Sequence, residues 1–228
     1  HIKRWLETHP NKSLQDHYEL LKSLREVEEA SIGRVERDKC LTGICSNELF
    51  EHGKKIQKRD GAVEVLKRYS PKYKDDNDPR YLYILSTNWS RDMLLGSLTD
   101  FVEIEKEHII SNDLIFDGDL ANGRVERTVL SAFDKLKIFR SLEIPKGTVS
   151  VYIGDSDTDL PCMLEAHIGI IMGSNGKLTE SCKKFEIVVV DGLVGKINME
   201  DFSSMKKQRN QLFRVQEWKE IFDSRLLD

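Results

Sequence analysis

The chain has 228 residues, enough for one domain with a sizeable core or for a core domain with a smaller companion. Its 35 basic and 39 acidic residues are mixed along the sequence and leave a net charge of -4, so no basic stripe marks a nucleic-acid surface. No apolar run approaches the roughly 18 residues of a membrane span, no signal-peptide pattern is visible around His1-Ile2-Lys3-Arg4-Trp5, and four cysteines are too few for a disulfide scaffold.

Residues 1–58 read as helical. Leu20, Leu21, Leu24 and Val27 fall at helix spacing, Ser46 and Asn47 are placed to cap a helix through Leu49, Phe50 and Ile56, and Gly33 and Gly43 are expected to break the stretch. A short helix follows at 62–66. The run Asp75-Asp76-Asn77-Asp78 reads as a solvated loop rather than a metal cluster. Residues 81–85 form an apolar run rich in β-formers that stops at the polar Ser86-Thr87-Asn88, as a buried parallel strand does. Beyond it the pattern predicts a helix around Met93, a strand at 101–104, a hairpin from 113–116 and 124–127, and a helix over 129–142. It continues with a strand at 148–153, a helix from about 159 to 166, strands at 168–172 and 186–190, and a charged tail helical around 212–222. The alternation of strand and helix in the last third predicts an α/β fold with a parallel sheet covered on both faces.

Cys40 and Cys45 fit no common zinc spacing, and no histidine is paired at ligand spacing. All four cysteines read as reduced thiols, with Cys162 and Cys182 packed on core helices, which points to a reducing, cytoplasmic compartment. The sequons at Asn11 and Asn88 read as coincidence.

Three places carry chemistry. Residues 149–153 form an apolar strand ending in Gly154-Asp155, with Asp159 four residues further on at the start of a helix. Carboxylates at such a strand end suit Mg²⁺, Asp155 directly and Asp159 through water or by orienting the loop; equally, Asp159 could be a plain helix cap. The strand end at Ser86 could hold a phosphate oxygen with a hydroxyl and backbone N–H groups, or merely cap a helix. Lys135, in the helix before the Gly154-Asp155 strand, could neutralise phosphate charge and steady a carboxylate. Thr87, Asn88 and Trp89 lie where a substrate pocket would be, although Trp89 could as well be packing.

In this order, Ser86, Lys135 and Gly154-Asp155-Ser156-x-x-Asp159 resemble the later motifs of the haloacid dehalogenase (HAD) superfamily, over roughly residues 60–192. Residues 82–94 and 151–173 look like the HAD portion of plant thiamin monophosphate phosphatases, where it is fused to a TenA-like domain. The resemblance implies a Rossmann-like core over 59–228 with an α-helical cap over 1–58. It implies that Ser86 binds the transferring phosphoryl group, that Lys135 bridges phosphate and nucleophile, and that Asp155 and Asp159 form a Mg²⁺ site. The expected activity is hydrolysis of a small phosphorylated metabolite, best thiamin monophosphate, through an aspartyl-phosphate. A non-catalytic HAD-like binding protein, suggested by the absent nucleophile and the tail at Lys206-Lys207-Gln208-Arg209, and a phosphotransferase are the alternatives.

The superfamily's nucleophile lies in an Asp-x-Asp after the first strand, and no such motif precedes the expected cap. Asp117-Gly118-Asp119 has the right letters in the wrong place and reads as a hairpin turn. The first strand would sit between the Ser86 and Asp155 strands. An upstream segment bearing a strand and Asp-x-Asp is therefore expected.

Overall fold

The computed structural model describes residues 2–9, 12–69, 81–143, 148–197 and 210–226. Asn11, the acidic run at 75–78 and the basic run at 206–209 lie outside them. In chain order the elements are α1 (Ile2–Thr8), α2 (Leu14–Arg37), β1 (Thr42–Cys45), α3 (Ser46–Lys54), α4 (Ala62–Lys67), β2 (Ile84–Leu85), α5 (Arg91–Leu98), β3 (Ile109–Ile110) and β4 (Asp113–Asp117). They continue with β5 (Leu120–Glu126), α6 (Ala132–Ser141), β6 (Val151–Gly154), α7 (Leu160–Glu165), β7 (Ile168–Met172), α8 (Gly176–Lys184), β8 (Val188–Asp191), β9 (Gln211–Val215) and α9 (Trp218–Ser224).

Four parallel strands in the order β6-β7-β9-β8 form the main sheet. The central strand β7 is buried at all five positions, as a strand covered on both faces must be. Its side chains alternate between two cores. Ile168, Ile170 and Met172 join Val65 of α4 and Ile221 of α9 on one face. Ile171 joins Leu136 of α6, Leu160 and Met163 of α7 and Leu178 of α8 on the other. Cys162 and Cys182 are free thiols buried in this second core, as expected.

Two shorter sheets complete the α/β fold. β2 and β3 pair in parallel, Ile84 with Ile109 and Leu85 with Ile110. β1, β5 and β4 form an antiparallel sheet in that order. Among the described residues, β2 pairs only with β3 and β6 only with β7, so each keeps one edge without a ladder partner. Leu85 of β2 nonetheless packs against the core formed on β6 and β7.

Four expectations are corrected. Residues 101–104 are not a strand; the chain pairs later, at β3, where Ile109 and Ile110 can reach β2. The tail opens with a strand rather than a helix, because Leu212, Phe213 and Val215 fill the slot between β7 and β8 and the helix starts only at Trp218. Gly33 does not interrupt α2, and β1 lies in a stretch read as wholly helical.

α2 is 24 residues long, about 36 Å at 1.5 Å per residue. It starts on a Ser13–Asp16 capping box. Leu14 packs on the core beside α7, and Ile32 belongs to a third cluster with Leu114, Val125 and Leu130. Arg25 pairs with Asp134 of α6, and Glu36 accepts the Val125 N–H at 2.9 Å and pairs with Arg127. Next to it α3 crosses α5 at a glycine contact: a Cβ on Gly53 would stand 2.2 Å from the Met93 carbonyl oxygen, and one on Gly96 2.1 Å from that of Phe50. No helix of the described residues is long and apolar enough to cross a membrane.

Candidate active site

β6 delivers Gly154 and Asp155 to the carboxyl end of the parallel sheet, where such sheets bind ligands. Asp155 is exposed, and its carboxylate has no hydrogen-bond or ion-pair partner among the described residues. The chain then turns back, with the Asp159 N–H donating to the Ser156 carbonyl at 3.0 Å.

Asp159 stands at the N-cap position of α7 but makes no capping hydrogen bond. Its carboxylate points inward. Lys135 Nζ donates to Oδ1 at 2.6 Å, the Tyr152 hydroxyl donates to the same oxygen at 3.0 Å, and the Ser156 hydroxyl donates to Oδ2 at 2.6 Å. Gly154 makes room for this: a Cβ there would lie 2.5 Å from the Asp159 Cβ. Burial pushes the Asp159 carboxyl up, but the Lys135 ammonium and the hydrogen bonds from Lys135, Ser156 and Tyr152 outweigh it and hold the group below its ordinary 3.8. Burial, with the Asp159 charge second, pushes the Tyr152 phenol far up, so it stays a donor.

Lys135 is placed by a capping box at the start of α6, in which Ser131 and Asp134 exchange side-chain and backbone hydrogen bonds. It sits one turn in, 6% exposed, and Asp159 is its only partner among the described residues. An ammonium has three donors; a buried one with a single acceptor is a feature the sequence could not show.

The Ser86 turn lies just past β2. The Ser86 N–H extends the ladder to the Ile110 carbonyl at 3.0 Å. Its hydroxyl oxygen accepts the Asn88 N–H at 3.1 Å, which leaves its own hydrogen free to donate. The Asn88 side chain accepts the Ser90 N–H at 2.8 Å, and Ser90 caps α5 by accepting the Met93 N–H at 3.0 Å. Thr87 is exposed. Trp89 packs against the third cluster, which is the packing role its position also allowed.

Lys135, Asp159, Ser156 and Tyr152 thus form one buried cluster with Asp155 at its rim, while Ser86, Thr87 and Asn88 form a separate turn. Three further residues were not singled out by the sequence. The His17 ring of α2, 4% exposed, places Nε2 3.0 Å from Asp157 Oδ2, tying the N-terminal helix to the loop after Asp155. Tyr152 was legible only as a strand residue. Asn112, 1% exposed, holds four backbone groups of other segments. Nothing in its sequence neighbourhood announces this, because its partners lie 16 to 25 residues away.

Asp117-Gly118-Asp119 is the β4–β5 turn. Asp117 pairs with Leu120 across it, and Gly118 has φ +63°, as the first residue of a two-residue hairpin loop requires.

Mg²⁺ is held by hard oxygen ligands, commonly one or two carboxylates with waters and substrate phosphate. Asp155 fits that role. Asp157 faces His17 and Asp159 is saturated by internal donors, and among the described residues no three His, Cys, Asp or Glu gather as a metal cage.

The chain is 27% identical over 245 residues to the Bifunctional TH2 protein, mitochondrial, of Arabidopsis thaliana, an alignment covering 97% of this chain and 38% of that protein. The match spans the positions of Ser86, Lys135, Asp155 and Asp159, which the structure places on one α/β frame. The chain is similar to this relative over most of its own length. The chain is also 29% identical over 198 residues to a CTO1 family protein of Schizosaccharomyces pombe, covering 81% of this chain and 72% of that one. It spans well under half of the Arabidopsis relative's length. Two phosphoserine phosphatase structures, one a phospho-aspartyl intermediate analogue and one substrate-bound, superpose with TM-score 0.48 at 19% identity, over 78% of this chain and 80% of each. No family model matches the chain.

Proposed function

We propose that this chain carries the phosphate- and metal-binding part of a Mg²⁺-dependent phosphomonoesterase that works through an aspartyl-phosphate on a small phosphorylated metabolite, best thiamin monophosphate. The observation that carries the reading is the buried Lys135–Asp159 pair, 2.6 Å apart, directly behind a free Asp155 at a strand end. A structural ion pair would satisfy both partners; here Asp159 is saturated and Lys135 keeps donors to spare.

Each residue then has a task. The two unused Lys135 donors serve a phosphoryl oxygen and the nucleophilic carboxylate. The free hydrogen of the Ser86 hydroxyl binds a second phosphoryl oxygen. Asp155 would hold Mg²⁺ directly, and Asp159 takes the second of its two expected roles, fixing the loop and the lysine. Mg²⁺, when bound, neutralises charge on the phosphoryl group. The nucleophile that the resemblance implies would be an aspartate on a strand between β2 and β6, whose unpartnered edges would accept it. Its carboxylate forms a bond to phosphorus as the ester P–O bond breaks. The second carboxylate of its Asp-x-Asp protonates the leaving alcohol, then activates the water that releases orthophosphate.

The thiamin part rests on the likeness of residues 82–94 and 151–173 to plant thiamin monophosphate phosphatases and on the TH2 match. It is tested by phosphate release from a panel of small phosphomonoesters by the full-length protein. We expect thiamin monophosphate to give the highest kcat/KM, by about tenfold or more. A flat profile, or a different best ester, removes the thiamin assignment and leaves the phosphatase reading.

A further inference from the structure

The Ser86 turn and the segment leading into α6 carry the two groups assigned above to the phosphoryl group. Among the described residues no backbone hydrogen bond joins them. One side chain does. Asn112 Nδ2 donates to the Thr87 carbonyl at 3.1 Å and to the Val129 carbonyl at 2.8 Å, while Oδ1 accepts the Thr128 N–H at 2.9 Å and the Val129 N–H at 2.8 Å. Val129 is two residues before Ser131, the cap that sets the register of Lys135. On the other side, Thr87 follows Ser86 directly.

We infer that Asn112 is a positioning residue for phosphoryl transfer, setting the separation of Ser86 and Lys135 without touching substrate; this rests on the phosphatase reading. Both donors and both lone pairs of the amide are used, so it has no capacity left for a ligand and acts only through the two segments. Its contacts are all to backbone groups, so they fix the path of the chain rather than the rotamer of a neighbour. Near-attack geometry is sensitive to such placement, and a shift of about 1 Å costs on the order of 100-fold in rate. Asp is nearly isosteric and keeps the two acceptor contacts, but it sets an oxygen against the Thr87 and Val129 carbonyls and so releases the clamp.

The experiment is a double-mutant cycle in the full-length protein with Asn112→Asp and Ser86→Ala, reading kcat/KM for the best ester and, separately, orthophosphate binding by calorimetry. Asn112→Asp is expected to lower kcat/KM by about 10- to 100-fold when Ser86 is present. It should lower it by less than about threefold in the Ser86→Ala background, because the group being positioned is already gone. Equal losses in both backgrounds mean a general structural role and overturn the inference, as does no loss at all. If Asn112→Asp does not fold, Asn112→Ser, which introduces no charge, carries the same comparison. If the wild type binds orthophosphate but hydrolyses no ester, the phosphatase reading fails while the same four proteins still judge the clamp by orthophosphate affinity. A folded wild type that neither hydrolyses nor binds overturns both.

Discussion

At the residue scale, Asp159 and Lys135 depend on each other. Each side chain is 8% exposed, and their atoms lie 2.6 Å apart. Removing one partner of such a pair strands the other charge out of water, at a cost of about 3–5 kcal/mol. Lys135→Met is therefore expected to destabilise the full-length protein by that amount in urea unfolding, besides abolishing turnover. A loss below about 1 kcal/mol would mean that Asp159 is held by Tyr152 and Ser156 alone, and that the lysine is not the centre of the cluster. Asp155 is the opposite case: exposed and unpartnered, it contributes nothing visible to the fold. The sequence showed that Asp155 and Asp159 differ by one turn. It did not show that one faces out and the other in, because that depends on Gly154 letting the loop fold back beneath the strand.

At the element scale, the site is framed by short strands and by helices that meet closely. β2 has two residues and α5 eight, and α5 is held against α3 by the paired glycines 53 and 96. Gly96→Ala would put a methyl carbon 2.1 Å from the Phe50 carbonyl oxygen. The two helices would have to separate, at a cost of about 1–3 kcal/mol in the midpoint-derived stability. An unchanged urea midpoint would mean that the helices are not in this contact in solution. Elements with long regular patterns were legible in the sequence: the helix at 129–142, the hairpin with its Asp117-Gly118-Asp119 turn, and the strand at 168–172 all stand. The strand at 211–215 was not, because Gln211 to Val215 follows the helix-like spacing of a charged tail, and only the slot between β7 and β8 makes it a strand. Residues 101–104 failed the other way: they have β-forming side chains but join no ladder among the described residues, where Ile109 and Ile110 pair with β2 instead.

At the scale of the whole molecule, one long helix connects the parts. α2 touches the Asp157 loop through His17, the α6 cap through Arg25 and Asp134, and the hairpin through Glu36. The residues expected to form a cap include this helix, which packs along the core. Asn112 ties the Ser86 turn to the segment that enters α6. Neither link could be read from the sequence, since each joins positions far apart through side chains of ordinary type. The order of Ser86, Lys135, Asp155 and Asp159 could be read, because each sits at the end or first turn of an element whose periodicity is plain.

The measurement that tests this account most directly is phosphate release by the full-length protein, with and without Mg²⁺, for the wild type and Asp155→Asn. We expect release that needs Mg²⁺ and falls by at least about 100-fold in the variant, with the fold and urea midpoint unchanged. Release indifferent to Mg²⁺ or to Asp155, or none from a folded wild type on any ester, would contradict it.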